Sequence, residues 1–124
     1  MDKVLLILSH GSKAESITEI TYKMRDSISA KNLYSDVKVA FMEFNSPSIP
    51  EAIADICKEG AAEIIALPMF LYKGNHILHD IPKELKKARE ENPYVTIYMA
   101  DPIGFDERIA DILIERAEGA LCQI

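Results

Sequence analysis

The sequence predicts an α/β fold: a four-stranded parallel sheet with helices on both faces, in the manner of flavodoxin-like or Rossmann-like three-layer sandwiches. Short apolar runs alternate four times with stretches of helical periodicity. The runs are continuously apolar rather than alternating, as in strands covered on both faces. The connections are short, which for parallel strands implies right-handed crossovers. At 124 residues the chain suits one domain, taken as 1–124, with no linker or composition break inside it.

Lys3–Ser9 (KVLLILS) is the first strand and stops at His10-Gly11-Ser12. A helix is expected from Ala14 to about Lys31, with Ile17, Ile20, Met24 and Ile28 on its inward face and Asn32 as its stop. Val37–Phe44 (VKVAFMEF) is the second strand and carries Glu43 near its end. The turn Asn45-Ser46-Pro47-Ser48 leads into a helix through Ile49, Ala52, Ile53, Ile56 and Cys57, ended by Gly60. Glu63–Leu67 is the third strand. After a polar loop, Asp80 serves as N-cap and Pro82 as first-turn residue of a helix running to Glu91, with Leu85 and Ala88 inward, broken at Asn92-Pro93. Tyr94–Ala100 is the fourth strand, and Phe105–Leu121 the last helix, with Ile109, Ile112, Leu113 and Leu121 inward.

Composition narrows the function. A net charge of −6 with scattered Lys and Arg argues against a nucleic-acid surface. No stretch approaches the roughly 20 apolar residues needed to span a bilayer, and Val4–Leu8 is too short for a signal-peptide core, so a cytoplasmic protein is expected. Cys57 and Cys122 fall at apolar helix positions and read as buried free thiols. No Walker-type loop, GxGxxG or GxSxG is present, so nucleotide binding and serine hydrolase chemistry lack support.

Parallel α/β sheets bind ligands at the edge where their strands end. The loops there are 10–13, 43–48, 68–80 and 101–106, which bring His10, His76 and Glu43 to one edge across 66 residues of chain. Neutral imidazole ligates first-row divalent metals and also moves protons near neutral pH. Two such groups and a carboxylate suit a site handling a divalent cation, a proton, or both. His79 follows His76 by three residues, but a helix starting near Asp80 would keep the two off a common face, so His79 reads as peripheral.

Four segments together resemble a known family: HGS at 10–12, MEFNSPSIPEAI at 42–53, PMFLYKGNHILHDIP at 68–82 and DPIGFDERIADILIER at 101–116. The chain is similar to the short sirohydrochlorin cobaltochelatases, including the nickel-inserting archaeal ones, over nearly its whole length. The resemblance implies a chelatase-like fold and an ATP-independent lyase with no organic cofactor. It would insert Co²⁺, or next Ni²⁺, into the polycarboxylate tetrapyrrole sirohydrochlorin with release of two protons, in cobalamin or related tetrapyrrole biosynthesis. It also implies a homodimer whose two sites face a shared cleft. By the same resemblance His10 and His76 are metal ligands, and His10, with Glu43, handles protons and the metal path. Ser12, Ser46, Leu71, Tyr72, Lys73, Gly74, Asn75 and His76 are the substrate contacts. Two positions depart from the pattern: Ser46 stands where relatives often carry glutamate, and Lys13 replaces an arginine, exchanging a bidentate clamp for a point charge.

Two alternatives use the same edge. A metal or tetrapyrrole carrier needs the same ligands without turnover. A histidine phosphatase-like enzyme also has His-Gly after its first strand, but needs an arginine directly before the histidine, and that position is Ser9.

Overall fold

The computed structural model describes residues 3–71 and 74–124, with the side chains of residues 75–78 outside that description. Four strands and four helices alternate: β1 (Lys3–Ser9), α1 (Glu15–Ser29), β2 (Asp36–Phe41), α2 (Ile49–Lys58), β3 (Glu63–Pro68), α3 (Asn75–Glu91), β4 (Thr96–Met99) and α4 (Glu107–Glu118). The strands form one parallel sheet in the order β2-β1-β3-β4. The expected α/β architecture is therefore what the chain adopts.

Period-2 alternation sorts the strand side chains into two cores. Val4, Leu6, Leu8, Ala40, Ile64 and Ala66 meet Ile49, Ala52, Ile53 and Ile56 of α2 and Ile81, Leu85 and Ala88 of α3. On the opposite face Leu5, Ile7, Val37, Val39 and Phe41 meet Tyr22 and Ile28 of α1. Helix α1 lies over β2 and, to a smaller extent, β1. Ile65 and Leu67 of β3 are only partly covered on that face, and Tyr98, opposite Ile65 on β4, is exposed.

Several boundaries differ from expectation, each for a local reason. α3 begins at Asn75, five residues early, with Gly74 at the N-cap, so Asp80 caps nothing and sits exposed in the helix body. Pro82 lies inside the helix. Proline there removes one backbone hydrogen bond and costs about 3 kcal/mol, which the burial of Ile81, Leu85 and Ala88 offsets. β2 ends at Phe41, whose amide takes the carbonyl of Pro47 at 2.8 Å on the side away from β1, and Glu43 lies in the loop beyond. β4 is shorter than expected at both ends.

The inward faces of two helices also need correction. In α1 the fully buried residue is Thr21, with Ile17 and Ile28 partly covered, while Ile20 and Met24 are exposed. Tyr22 and Arg25, on the other flank, line a cavity with Lys38 and Val39 of the edge strand β2. Ile20 and Met24 therefore flank α1 on the side of β3 and β4. In α4, Ile112, Leu113 and the following Leu121 are exposed and only Ile109 is partly covered. Among the described residues, α4 packs closely against no other element. Cys122, expected in a core, is exposed, and Cys57 is half-buried. Three stops stand where expected: Gly60 (φ +94°) follows α2, Asn32 (φ 54°) follows α1, and Asn92 caps α3. The fourth does not: α4 starts at Glu107 behind the Asp106 cap and ends at Glu118 with Gly119 as its C-cap, inside the expected Phe105–Leu121.

Candidate metal and tetrapyrrole site

β1 is the second strand of the sheet and delivers His10 to the edge where the strands end, between the ends of β2 and β3. Two backbone bonds prolong the sheet past the strands: the Met42 amide donates to the Ser9 carbonyl at 2.9 Å, and the Glu43 amide to the His10 carbonyl at 3.0 Å. On the other side the Met69 amide donates to the Leu8 carbonyl at 2.8 Å. The loops that follow β1, β2 and β3 are thereby tied together at their roots. His10 and Glu43, 33 positions apart, become bonded neighbours.

Gly11 makes this approach possible. Its φ of +88° belongs to the left-handed region, and a Cβ there would stand 1.9 Å from the Glu43 carbonyl oxygen. Glu43 itself is followed by Phe44 at φ 65°, which turns the loop back through a cis Ser46–Pro47 bond into α2. Ser48 caps that helix: its hydroxyl accepts from the Glu51 amide, and the Glu51 carboxylate accepts from the Ser48 amide. Those bonds hold the Glu51 carboxyl below its ordinary pKa of 4.5.

Asn45 is a second strap, which its place in a turn motif did not reveal. Its Oδ1 accepts from the Ser12 amide at 2.8 Å, and its Nδ2 donates to the Thr18 hydroxyl at 3.3 Å. The His10–Ser12 loop, the Glu43–Ser48 loop and the start of α1 are joined through this one side chain. Below His10, the Thr21 hydroxyl donates to the Ser9 hydroxyl at 3.0 Å in a fully buried pair. The residue before His10 thus points into the core and cannot hold a phosphate, which removes the phosphatase-like alternative.

The His10 side chain is exposed. It stands edge-on to Phe70, with ring centroids 6.3 Å apart at 75°. Its Nδ1 lies 3.3 Å from the Gly11 carbonyl oxygen. With the proton on Nδ1 donated there, Nε2 presents its lone pair outward, the form needed to ligate a metal or accept a proton.

The other candidates divide clearly. Glu43 and Ser46 are exposed on the β2–α2 loop. The Ser12 hydroxyl already accepts from the Ala14 amide at 3.1 Å, and its amide is held by Asn45. Leu71 is exposed, and Gly74 is the half-buried N-cap of α3. Tyr72 and Lys73 lie outside the described residues, as do the side chains of Asn75 and His76. The backbone nonetheless puts His76 in the first turn of α3, at the same sheet edge as His10. Because α3 starts early, positions 76 and 79 are three apart on one continuous helix and share a side of it, contrary to the sequence reading. His79 is exposed. Lys13 stacks its ammonium 5.5 Å from the Phe44 ring centroid, bringing a cation to the rim of the loop pair. Among the described residues no three His, Cys, Asp or Glu side chains form a metal cage.

The model of the CbiX family matches residues 4–120 of this chain. The sirohydrochlorin cobaltochelatase of Methanococcus aeolicus is 36% identical, over 94% of this chain and 99% of its own length. That of Sulfurisphaera tokodaii is 41% identical, over 95% and 92%. Among solved structures, the sirohydrochlorin chelatase SirB from Bacillus subtilis subspecies spizizenii in complex with cobalt superimposes with a TM-score of 0.88 at 26% identity. The match covers 95% of this chain but only 50% of SirB, so the chain spans half the length of that protein. The CbiX protein of Marinobacter aquaeolei VT8 superimposes with a TM-score of 0.79 over 99% of its length, also at 26% identity. With the family model running through all four strands and all four helices, this chain belongs to the CbiX family.

Proposed function

We propose that this chain is an ATP-independent sirohydrochlorin chelatase that inserts Co²⁺ into the macrocycle. The observation that carries the reading is His10, exposed at the ligand edge with Nδ1 on a carbonyl and bonded through its backbone to the Glu43 loop. The curated relatives named sirohydrochlorin cobaltochelatase support both the substrate and the metal.

The reaction replaces two pyrrolic protons by one divalent cation, so charge balances when both protons leave. His10 and His76 hold the incoming metal through imidazole nitrogens. The metal is a substrate, so a ligand set short of a closed cage is an advantage: a complete shell would compete with the ring for the ion. As the metal passes to the ring, the freed imidazoles of His10 and His76 take up the two pyrrolic protons, one each, with Glu43 beside His10 on the exit path. Ser12, Ser46 and the segment from Leu71 through Tyr72, Lys73, Gly74 and Asn75 to His76 form the wall against the macrocycle. Imidazole also suits Ni²⁺, which remains the second metal of this proposal. The working form is a cytoplasmic homodimer that needs no organic cofactor.

The test is multiple turnover. Sirohydrochlorin and Co²⁺ mixed with substoichiometric protein, without ATP, are expected to show the visible spectrum of the metallated product well beyond one equivalent per chain. His10→Ala and His76→Ala are each expected to abolish that turnover. Capture that halts at one equivalent would mean a carrier, and unchanged turnover in both variants would remove the site from the reaction. Competition between Co²⁺ and Ni²⁺ at buffered concentrations decides the metal.

A further inference from the structure

Of the four segments that carry the family resemblance, the last, at 101–116, holds none of the candidate site residues. The structure ties it to His10 through Phe70. After β4, the Ile103 amide donates to the Phe70 carbonyl at 2.9 Å and the Gly104 amide to the Leu71 carbonyl at 2.7 Å. Just before Phe70, the Met69 amide donates to the Leu8 carbonyl at 2.8 Å. The Phe70 backbone is therefore held on one side by the end of β1 and on the other by the loop that follows β4. Its side chain is half-buried and packs against the core on the α2 and α3 side of the sheet. The rest of the ring meets His10, with the centroids 6.3 Å apart and the planes at 75°.

His10 has few other restraints. Its side chain is exposed, and the torsion that turns an imidazole about its Cβ–Cγ bond is broad and roughly two-fold. Half a turn would exchange Nδ1 with Cδ2 and Nε2 with Cε1, taking the lone pair of Nε2 from its place. The bond that opposes this turn, from Nδ1 to the Gly11 carbonyl, is 3.3 Å long, against about 2.9–3.0 Å for a usual N–H donor. A bond so stretched holds the ring loosely. A near-perpendicular aromatic contact biases such an equilibrium about 2- to 10-fold. The phenyl ring fixes the plane of the imidazole, and the Gly11 carbonyl picks between the two orientations in that plane. Phenyl also has no lone pair, so it orients His10 without competing for a metal or a proton.

We infer that Phe70 is a positioning residue for His10, and that the loop after β4 holds Phe70 in place for it. The inference deepens the chelatase reading above and rests on it for the effect on turnover; the state of the His10 ring is read without turnover.

The test compares Phe70→Leu, which keeps apolar bulk without the ring, with Phe70→Tyr, which keeps the ring. The first readout is the His10 imidazole in nitrogen–proton NMR of the metal-free chain, assigned by its loss in His10→Ala. In the unaltered chain, with the imidazole neutral, one tautomer protonated on Nδ1 and cross-relaxation between the His10 and Phe70 ring protons are expected. A ring that averages over both tautomers without that contact would overturn the inference before any variant is made. In Phe70→Leu the imidazole signals are expected to move toward those of a free histidine, and Co²⁺ binding to weaken about 3- to 10-fold. Turnover is expected to follow, kcat falling about 10-fold with KM for sirohydrochlorin little changed. Phe70→Tyr is expected to restore all three. A Phe70→Leu chain with a lower Tm but unchanged imidazole signals, Co²⁺ affinity and kcat would show that Phe70 only fills the core, and would overturn the positioning role. So would a Tyr variant that behaves like the Leu variant. An unaltered chain without turnover would sink the chelatase reading instead, and the imidazole signals and Co²⁺ affinity would still decide on Phe70.

Discussion

Gly11→Ala tests whether the closeness of the first two loops is what makes the site. The residue sits at φ +88°, where a Cβ meets the preceding geometry at a cost of about 1–2 kcal/mol. The added carbon would lie 1.9 Å from the Glu43 carbonyl oxygen, whereas real contacts stay above 3.0 Å, so backbone must retreat by about 1 Å. That movement pulls on the Glu43-to-His10 hydrogen bond, worth about 1 kcal/mol net. Stability is expected to fall by about 2–3 kcal/mol in urea unfolding. Turnover is expected to fall by more, about 100-fold, because a 1 Å error in placing a reacting group has that effect. Gly60→Ala is the internal control: φ is +94° but nothing lies within 4 Å of its Cβ. It carries the conformational cost without the clash and is distant in the chain from the candidate edge. It should lose about 1–2 kcal/mol with kcat unchanged. If folded Gly11→Ala turns over like the wild type, the stitched loops do not set the chemistry and the argument from His10 fails.

Asn45→Ala removes the acceptor of the Ser12 amide and is expected to cost about 1–2 kcal/mol. It should lower kcat several-fold with little change in KM, while Asn45→Asp, which keeps the acceptor, restores much of it. Thr21→Val leaves the buried Ser9 hydroxyl without its donor and should destabilise by about 1–3 kcal/mol; adding Ser9→Ala should recover part of that loss, measured by thermal unfolding. Glu51 has a folded pKa below 4.5, so its contribution to stability is present above that value and fades as pH falls through the folded pKa. In a carboxyl-resolved NMR titration, Ser48→Ala should move the Glu51 midpoint only part of the way up toward 4.5, because the Ser48 amide, the larger cause, still donates to the carboxylate; a midpoint restored fully to 4.5 would show that the amide is not its cause.

The sheet was legible because continuous apolar runs such as Leu5–Leu8 are too short for a helix and are bounded by polar turns, and three helix stops had their own signal in Asn32, Gly60 and Asn92, whereas Gly119, which ends α4, was passed over. Helix starts were less legible. Pro82 looked like a first-turn residue, yet packing of Ile81 and Leu85 keeps the helix running through it. The inward faces of α1 and α4 were misread for one shared reason. Periodicity marks Ile20, Met24, Ile112 and Leu113 as an apolar stripe, but not that these four side chains are left exposed among the described residues. At the site, His10 and Glu43 could be brought to one edge from topology alone. The straps could not: Asn45 read as turn chemistry, and the contact between Gly11 and the Glu43 carbonyl depends on two loops whose separation in sequence hides it.

An acidic chain is an awkward host for a polycarboxylate substrate, and the helix ends show how the conflict is eased. Helix N-termini carry partial positive charge, which acidic caps and first-turn acids neutralise. α1 has Glu15 in its first turn, α2 has Glu51, and α4 has Asp106 at its cap and Glu107 beyond it. Asp106 is moreover held well below the usual carboxylate range by the Arg108 guanidinium and amide, so it stays charged. Among the described residues, only α3 shows neither a side-chain cap nor an acid in its first turn. Its first turn contains His76 and follows the loop proposed to face the macrocycle. The net charge of −6 is therefore distributed so that the positive helix end nearest the proposed metal ligand is the one left without an acidic partner. An anionic ring meeting that end would be drawn to the imidazoles before any side-chain cation is involved, which is how a chain of this charge can both repel anions in general and accept this one.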